Sequence, residues 1–201
     1  MRLHPARGVQ ITVLIGGDPA LSRLQGKFAQ AESELKRALE LDPLSVAISS
    51  GLAETYYYER QYDRCLAQAA ETRELYPAYE LYLGRCHWQQ GRYAEAITEF
   101  QRDGSSNADL NVARAMAAGK TAEARRLIAA VAKGPRGTNN PYSIAGQYTL
   151  AGDKESAFAW LEKAYAAHQA DLVSIKIEPA FDLLRSDPRF ADLLRRVGLS
   201  Q

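Results

Sequence analysis

Charge of one sign is missing from this sequence: 25 basic residues stand against 24 acidic ones, and a net charge of +1 supplies no field to draw the chain to nucleic acid or anionic lipid. A long apolar run is missing too. No stretch approaches the roughly 20 residues that span a bilayer, so no membrane partner is expected. Two cysteines, Cys65 and Cys86, are too few for a disulfide scaffold, and the expectation is a pair of reduced thiols in a cytoplasmic protein. Three histidines, His4, His87 and His168, are dispersed at no metal-ligand spacing, so neither a metal nor a cofactor is expected. Cys86 and His87 are adjacent, and on a helix their side chains diverge by about 100°, which does not suit a nucleophile and its base. Gly16-Gly17 and the stretch from Gly134 to Gly137 lack the lysine and hydroxyl of a phosphate loop. The chain is not expected to be an enzyme. What is present, 46% hydrophobic and 24% charged residues, is the composition of a globular chain with a core.

The positive signal is a repeated piece of punctuation. Gly26-Lys-Phe-Ala-Gln-Ala31, Arg60-Gln-Tyr-Asp-Arg-Cys65, Gly91-Arg-Tyr-Ala-Glu-Ala96, Gly119-Lys-Thr-Ala-Glu-Ala124 and Gly152-Asp-Lys-Glu-Ser-Ala157 follow one another at steps of 34, 31, 28 and 33 residues. A period near 34 with this content means stacked helical hairpins. In each unit an apolar-periodic helix runs up to the glycine, a tight turn follows, and a second helix places a small residue where the two cross. The glycine serves a backbone conformation that a Cβ would strain. Cys65 fills the small position of its unit and is expected to be buried and unreactive.

Finer features give the repeat a family. Leu52-Ala53 with Tyr56, Leu83-Gly84 with His87 and Ile144-Ala145 with Tyr148 lie on first helices, and Leu41-Asp42-Pro43 and Leu75-Tyr76-Pro77 close second helices. On these residues the chain resembles tetratricopeptide repeat proteins. The resemblance implies an all-α helical-hairpin solenoid, a right-handed superhelix of about four full repeats with an N-terminal half repeat and a C-terminal capping helix. The domain reading is an irregular or mobile extension over residues 1–24, the array over 25–177 and a capping segment over 178–201.

Departures from the pattern mark the ends and the middle. The packing positions of a first helix in the first unit fall on Ile15, Asp18, Pro19 and Ser22, where a proline would break a helix interior, so Gly26 to Pro43 reads as a half repeat. Upstream, the β-branched run Val9–Ile15 is open to four readings: a secretory signal, a loose strand, a remnant of an upstream domain or an irregular extension. In the fourth unit Asn111-Val112 replaces the usual pair after the turn-rich junction Asp103–Asn107. Lys133–Pro141 is the most loop-like stretch and the expected bending point. At the far end, Ser186-Asp187-Pro188 starts a helix whose Phe190, Leu193, Leu194 and Val197 form one stripe and which Gly198 closes, as a solenoid cap requires. The segment from Tyr148 to Gly198 is also similar to the C-terminal ends of bacterial multidomain regulators, where a tetratricopeptide array follows a winged-helix, serine/threonine kinase or adenylate cyclase domain.

For function, the resemblance implies a concave groove lined by first helices. Here it would present Glu54, Tyr57, Tyr58, Leu81, Arg85, Trp88, Gln89, Met116, Tyr142 and Thr149, among them the tyrosine, tryptophan and arginine types that dominate interface hot spots. The alternative for Tyr57 or Trp88 is simple packing on a neighbouring helix. Two readings follow. One is a noncatalytic scaffold that binds a protein or peptide of unknown identity in the groove; the other is a detached or truncated regulatory module of a bacterial transcription or signalling regulator that acts by self-association, as a homo-oligomer, or by ligand sensing.

Overall fold

Five turns with left-handed backbone set the architecture. In the computed structural model, which describes residues 17–77 and 81–199, Gly26, Arg60, Gly91, Gly119 and Gly152 have φ of 73°, 63°, 75°, 70° and 67°. At each of them the next residue's N–H reaches back five residues and the turn residue's own N–H reaches back three. Gln61 donates to the Tyr56 carbonyl at 2.9 Å while Arg60 donates to that of Tyr57 at 3.1 Å, and Asp153 and Gly152 repeat the pair on Tyr148 and Thr149 at 2.9 Å each. This is the Schellman ending, which satisfies the last carbonyls of a helix and reverses the chain at once. Five residues after each of these turn residues, Ala31, Cys65, Ala96, Ala124 and Ala157 are all 0% exposed, so the helix crossings are built on small side chains as the sequence predicts. All described secondary structure is helical.

Two compact units divide the chain between Asp103 and Gly104. The first holds α1 (Pro19–Leu24), α2 (Phe28–Leu41), α3 (Val46–Tyr58), α4 (Tyr62–Leu75), α5 (Leu81–Gln89) and α6 (Tyr93–Arg102). The first helices α1 and α3 begin with a side-chain cap: Asp18 accepts from Ala20 N–H at 3.0 Å, and Ser45 from Ile48 N–H at 3.5 Å. Second helices emerge from the Schellman turn and need none; Lys27, Gln61 and Arg92 precede them without a capping bond. Leu35, Leu52, Tyr56, Tyr82 and Leu83 are buried between the helices. The half-repeat reading is corrected at α1. Pro19 occupies the first helical position behind the Asp18 cap, where its missing N–H costs nothing, so a short first helix does form. Ser22 and Arg23 are buried on it. Irregularity over residues 1–24 therefore fails for 19–24, and Val9–Ile15 lies outside the described residues.

The thiols are a second correction. Cys65 on α4 and Cys86 on α5, both 0% exposed, form a disulfide with Cα atoms 6.7 Å apart. Cys65 sits at a small crossing position facing the next repeat's first helix, where the opposing residue is again small and sulfur-bearing, within the reach a disulfide needs. The ground for placing the chain in a reducing cytoplasm goes with the free thiols.

The second unit holds α7 (Asn107–Ala117), α8 (Thr121–Ala132), α9 (Pro135–Asn139), α10 (Pro141–Leu150), α11 (Lys154–Ala166), two 3₁₀ segments (Ala170–Ser174 and Pro179–Leu184) and α12 (Pro188–Val197). Where a loop is expected at 133–141, Pro135 starts α9. Gly137 on that helix lies so close to α8 that a Cβ would meet the Ala132 carbonyl oxygen at 1.8 Å. Asp109 then ties the insertion down by pairing with Arg136 and accepting from Gln147 Nε2 at 3.0 Å. One apolar cluster joins Ile128, Ile144, Leu161, Ile175, Phe181, Leu184, Phe190 and Leu193. Each contributes roughly 1.5–3 kcal/mol by burial before entropy is counted. Asp187 caps α12 with Pro188 at its first position, and Gly198 closes it at φ 82°. Its outer edge is strapped to α11 by Arg189, whose two terminal nitrogens each reach a Glu155 oxygen at 2.8 Å, and by Arg196 on Glu162.

Candidate functional site

The expected groove residues separate into two sets that belong to different units. Glu54, Tyr57 and Tyr58 fall in the last turns of α3, and Arg85, Trp88 and Gln89 in the last turns of α5; Leu81 opens α5, and its side chain is outside the described set. Tyr57 is 1% exposed. Its ring packs on Tyr58, Tyr62 and Tyr82 at centroid distances of 5.5, 6.1 and 5.6 Å, and Tyr58 is 8% exposed. These two tyrosines are interior residues, which corrects the expectation that they line an open groove.

Above that aromatic floor the site is charged. The Arg85 guanidinium lies 4.6 Å from the Tyr57 ring centroid and 5.6 Å from that of Tyr82, a stacked cation on buried aromatics. Glu54 pairs with Arg23 at 2.7 Å, and Arg23 is itself 9% exposed, so α1 supplies a residue to this face that sequence reasoning left out. Burial, and then the neighbouring Glu54, push the Tyr82 hydroxyl far above its ordinary range, so that it stays protonated. Trp88 is half-buried, its rings 4.8 Å from Tyr93 and 6.2 Å from Phe100 of α6, and Gln89 is half-buried beside it in sequence. His87 is held below its ordinary range by burial first and by Arg92 second. No nucleophile and base pair exists at Cys86-His87, because the Cys86 sulfur is bonded to Cys65.

In the second unit the remaining candidates turn inward. Thr149 is 1% exposed and donates to the Ala145 carbonyl at 2.9 Å within its own helix. Met116 packs against the apolar cluster. Tyr142 meets Phe181 edge to face at 5.1 Å, and its hydroxyl bonds the Ser174 hydroxyl at 3.1 Å. Thr149 is thus a packing residue, and Tyr142 serves the attachment of the 3₁₀ segments. Helical periodicity alone could have flagged Tyr82, one turn before Arg85 on α5, but not Arg23, whose helix carries no expected site residue.

Comparison with known proteins agrees with this geometry. The tetratricopeptide repeat family model matches residues 25–64 and 51–109. No curated protein matches the chain in sequence. Among solved structures, a tetratricopeptide repeat protein from Parabacteroides merdae ATCC 43184 is similar with a TM-score of 0.57 at 16% identity, over 97% of this chain and 87% of that one. No helix among the described residues is long and apolar enough to cross a membrane. With left-handed turns at all five predicted positions and a small buried residue after each, this all-α chain has the tetratricopeptide fold, and residues 25–109 carry the sequence pattern of that family.

Proposed function

We propose that the chain is a noncatalytic scaffold that binds a peptide or protein through the first-helix face of its first unit, with Glu54, Arg85, Trp88 and Gln89 in contact with the partner. Protein interaction is the general role that the tetratricopeptide fold supports. The observation that carries the finer reading is the placement of Arg85 over Tyr57 and Tyr82. A stacked guanidinium has already given up much of its rotamer freedom, so a partner's acceptor meets a cation fixed in position and the entropy lost on binding is smaller. Trp88 and Tyr93 beside it give partly exposed aromatic area of the kind found at hot spots.

Affinity capture with the wild-type chain, followed by titration of the captured partner, tests this. Arg85→Ala should weaken binding by about thirtyfold, about 2 kcal/mol, while the thermal midpoint stays close to wild type. A partner that binds Arg85→Ala and Trp88→Ala as tightly as wild type would remove this face from the account.

A further inference from the structure

The first unit carries a second surface, formed by its second helices α2 and α4, the turn after α2 and the start of α3, away from Arg85 and Trp88. Eight large apolar side chains stay exposed among the described residues, and four of them, Leu41, Leu44, Leu75 and Tyr76, sit at the C-terminal ends of α2 and α4 and on the turns that follow them. Between those turns lies a cleft of about 270 Å³ lined by Leu39, Pro43 and Leu75 on its apolar side and by Ser49, Gln68, Glu71 and Glu74 on its polar side. None of the lining residues is basic. The polar side is internally organised: the Ser49 and Thr72 hydroxyls bond at 2.6 Å, and Gln68 spends its amide N–H groups on Ser49 Oγ at 2.9 Å and on Glu71 Oε2 at 3.1 Å. Donors are therefore consumed inside the wall. Among the described residues, what the lining leaves over is acceptors, the Gln68 side-chain carbonyl and the Glu71 and Glu74 carboxylates, beside an apolar strip. That combination suits a side chain with a hydrocarbon stem and a cationic head.

We propose that this cleft docks a peptide in which arginine or lysine alternates with leucine-type residues, the cation on Gln68, Glu71 and Glu74 and the apolar residues on Leu39, Leu44 and Leu75. Charge complementarity selects a cationic occupant, since the described lining offers carboxylates and no basic residue, and the like clefts of two copies would repel each other.

The test is fluorescence anisotropy with the full chain and a labelled peptide of alternating leucine and arginine. Two control peptides replace the arginines by glutamate or the leucines by serine. The leucine/arginine peptide should bind, and each control should bind at least about tenfold more weakly. The double variant Glu71→Lys, Glu74→Lys should weaken binding by about tenfold or more, and Leu44→Ser, at a position 75% exposed, should weaken it without moving the thermal midpoint. Arg85→Ala should leave it unchanged, which separates this cleft from the first-helix face. Undiminished binding by the charge-reversed chain, equal binding of either control, or loss with Arg85→Ala would overturn the proposal. So would self-association, measured by sedimentation, that Leu44→Ser abolishes, because the occupant would then be a second copy.

Discussion

The two units solve the same problem by different means. In the first, the repeats follow one another regularly, each second helix carries a small buried residue after its turn, and a disulfide and side-chain pairs such as Arg73–Glu99 join successive repeats. In the second, the repeats are shortened and interrupted. Two 3₁₀ segments and α12 fold back over the last hairpin, and one apolar cluster takes in α7, α8, α10, α11, both 3₁₀ segments and α12. A stack of hairpins gains stability only from its neighbours, so an end that has none must be covered. The first unit relies on a covalent bridge and the second on a cap. The surfaces left over differ accordingly: a stacked arginine and an acidic cleft in the first, and a cluster that draws Met116 and Tyr142 inward in the second.

The largest expected effect breaks the second unit. Deleting everything after Ile177 removes Phe181, Leu184, Phe190 and Leu193, all buried at 2% exposure or less, at roughly 1.5–3 kcal/mol each. Such a loss rivals the stability of a whole domain. The truncated chain should bind hydrophobic dye, self-associate and unfold its last hairpin at a lower midpoint, with the first unit unaffected. A monomeric truncation with an unchanged midpoint would make α12 a tether instead of a cap.

Next comes the bridge of the first unit. Cys65→Ala with Cys86→Ala opens a loop of separation 21 and should lower stability by about 3 kcal/mol, read by denaturant titration of the oxidised wild type against the variant. An equal titration curve would show that packing at these two positions suffices.

The smallest effect is electrostatic and again belongs to the first unit. Burial alone would raise the Glu32 carboxyl, but hydrogen bonds from Arg64 and Lys36 overcome it and hold the group at about 2 instead of 4.5. A depressed acid stabilises the fold above its ordinary pKa and loses that contribution as pH falls through the folded value, so the window runs from about 4.5 down to about 2. The pair is near the surface, and the loss should be no more than about 1 kcal/mol. Glu32→Gln should flatten the acid limb of a midpoint-against-pH curve over that window, and an unaltered limb would assign it to other carboxylates.

The turns were legible because a left-handed residue and a small crossing residue are written directly in the chain as glycine and alanine. Even Arg60, the one of the five that is not glycine, was placed by its register, and it keeps the left-handed backbone at a cost of about 1 kcal/mol. The cap was legible through Asp187, Pro188 and Gly198, which act within one helix. Pro19 misled, since the same residue that breaks a helix interior begins a helix when a cap precedes it, and only the contacts of Ser22 and Arg23 decide between the two. The disulfide was hidden for a different reason: Cys65 and Cys86 meet through the stacking of two repeats, which no local pattern expresses. Helical spacing picked out the face of α3 and α5, but whether Tyr57 lies under Arg85 or beside it depends on the neighbouring rings of Tyr62 and Tyr82.

Hydrogen exchange by mass spectrometry on the whole chain, with and without dithiothreitol, tests the division of labour most directly. Reduction should raise exchange in α3, α4 and α5 and leave α10, α11 and α12 as protected as before. Exchange that rises equally in both units, or in neither, would contradict it.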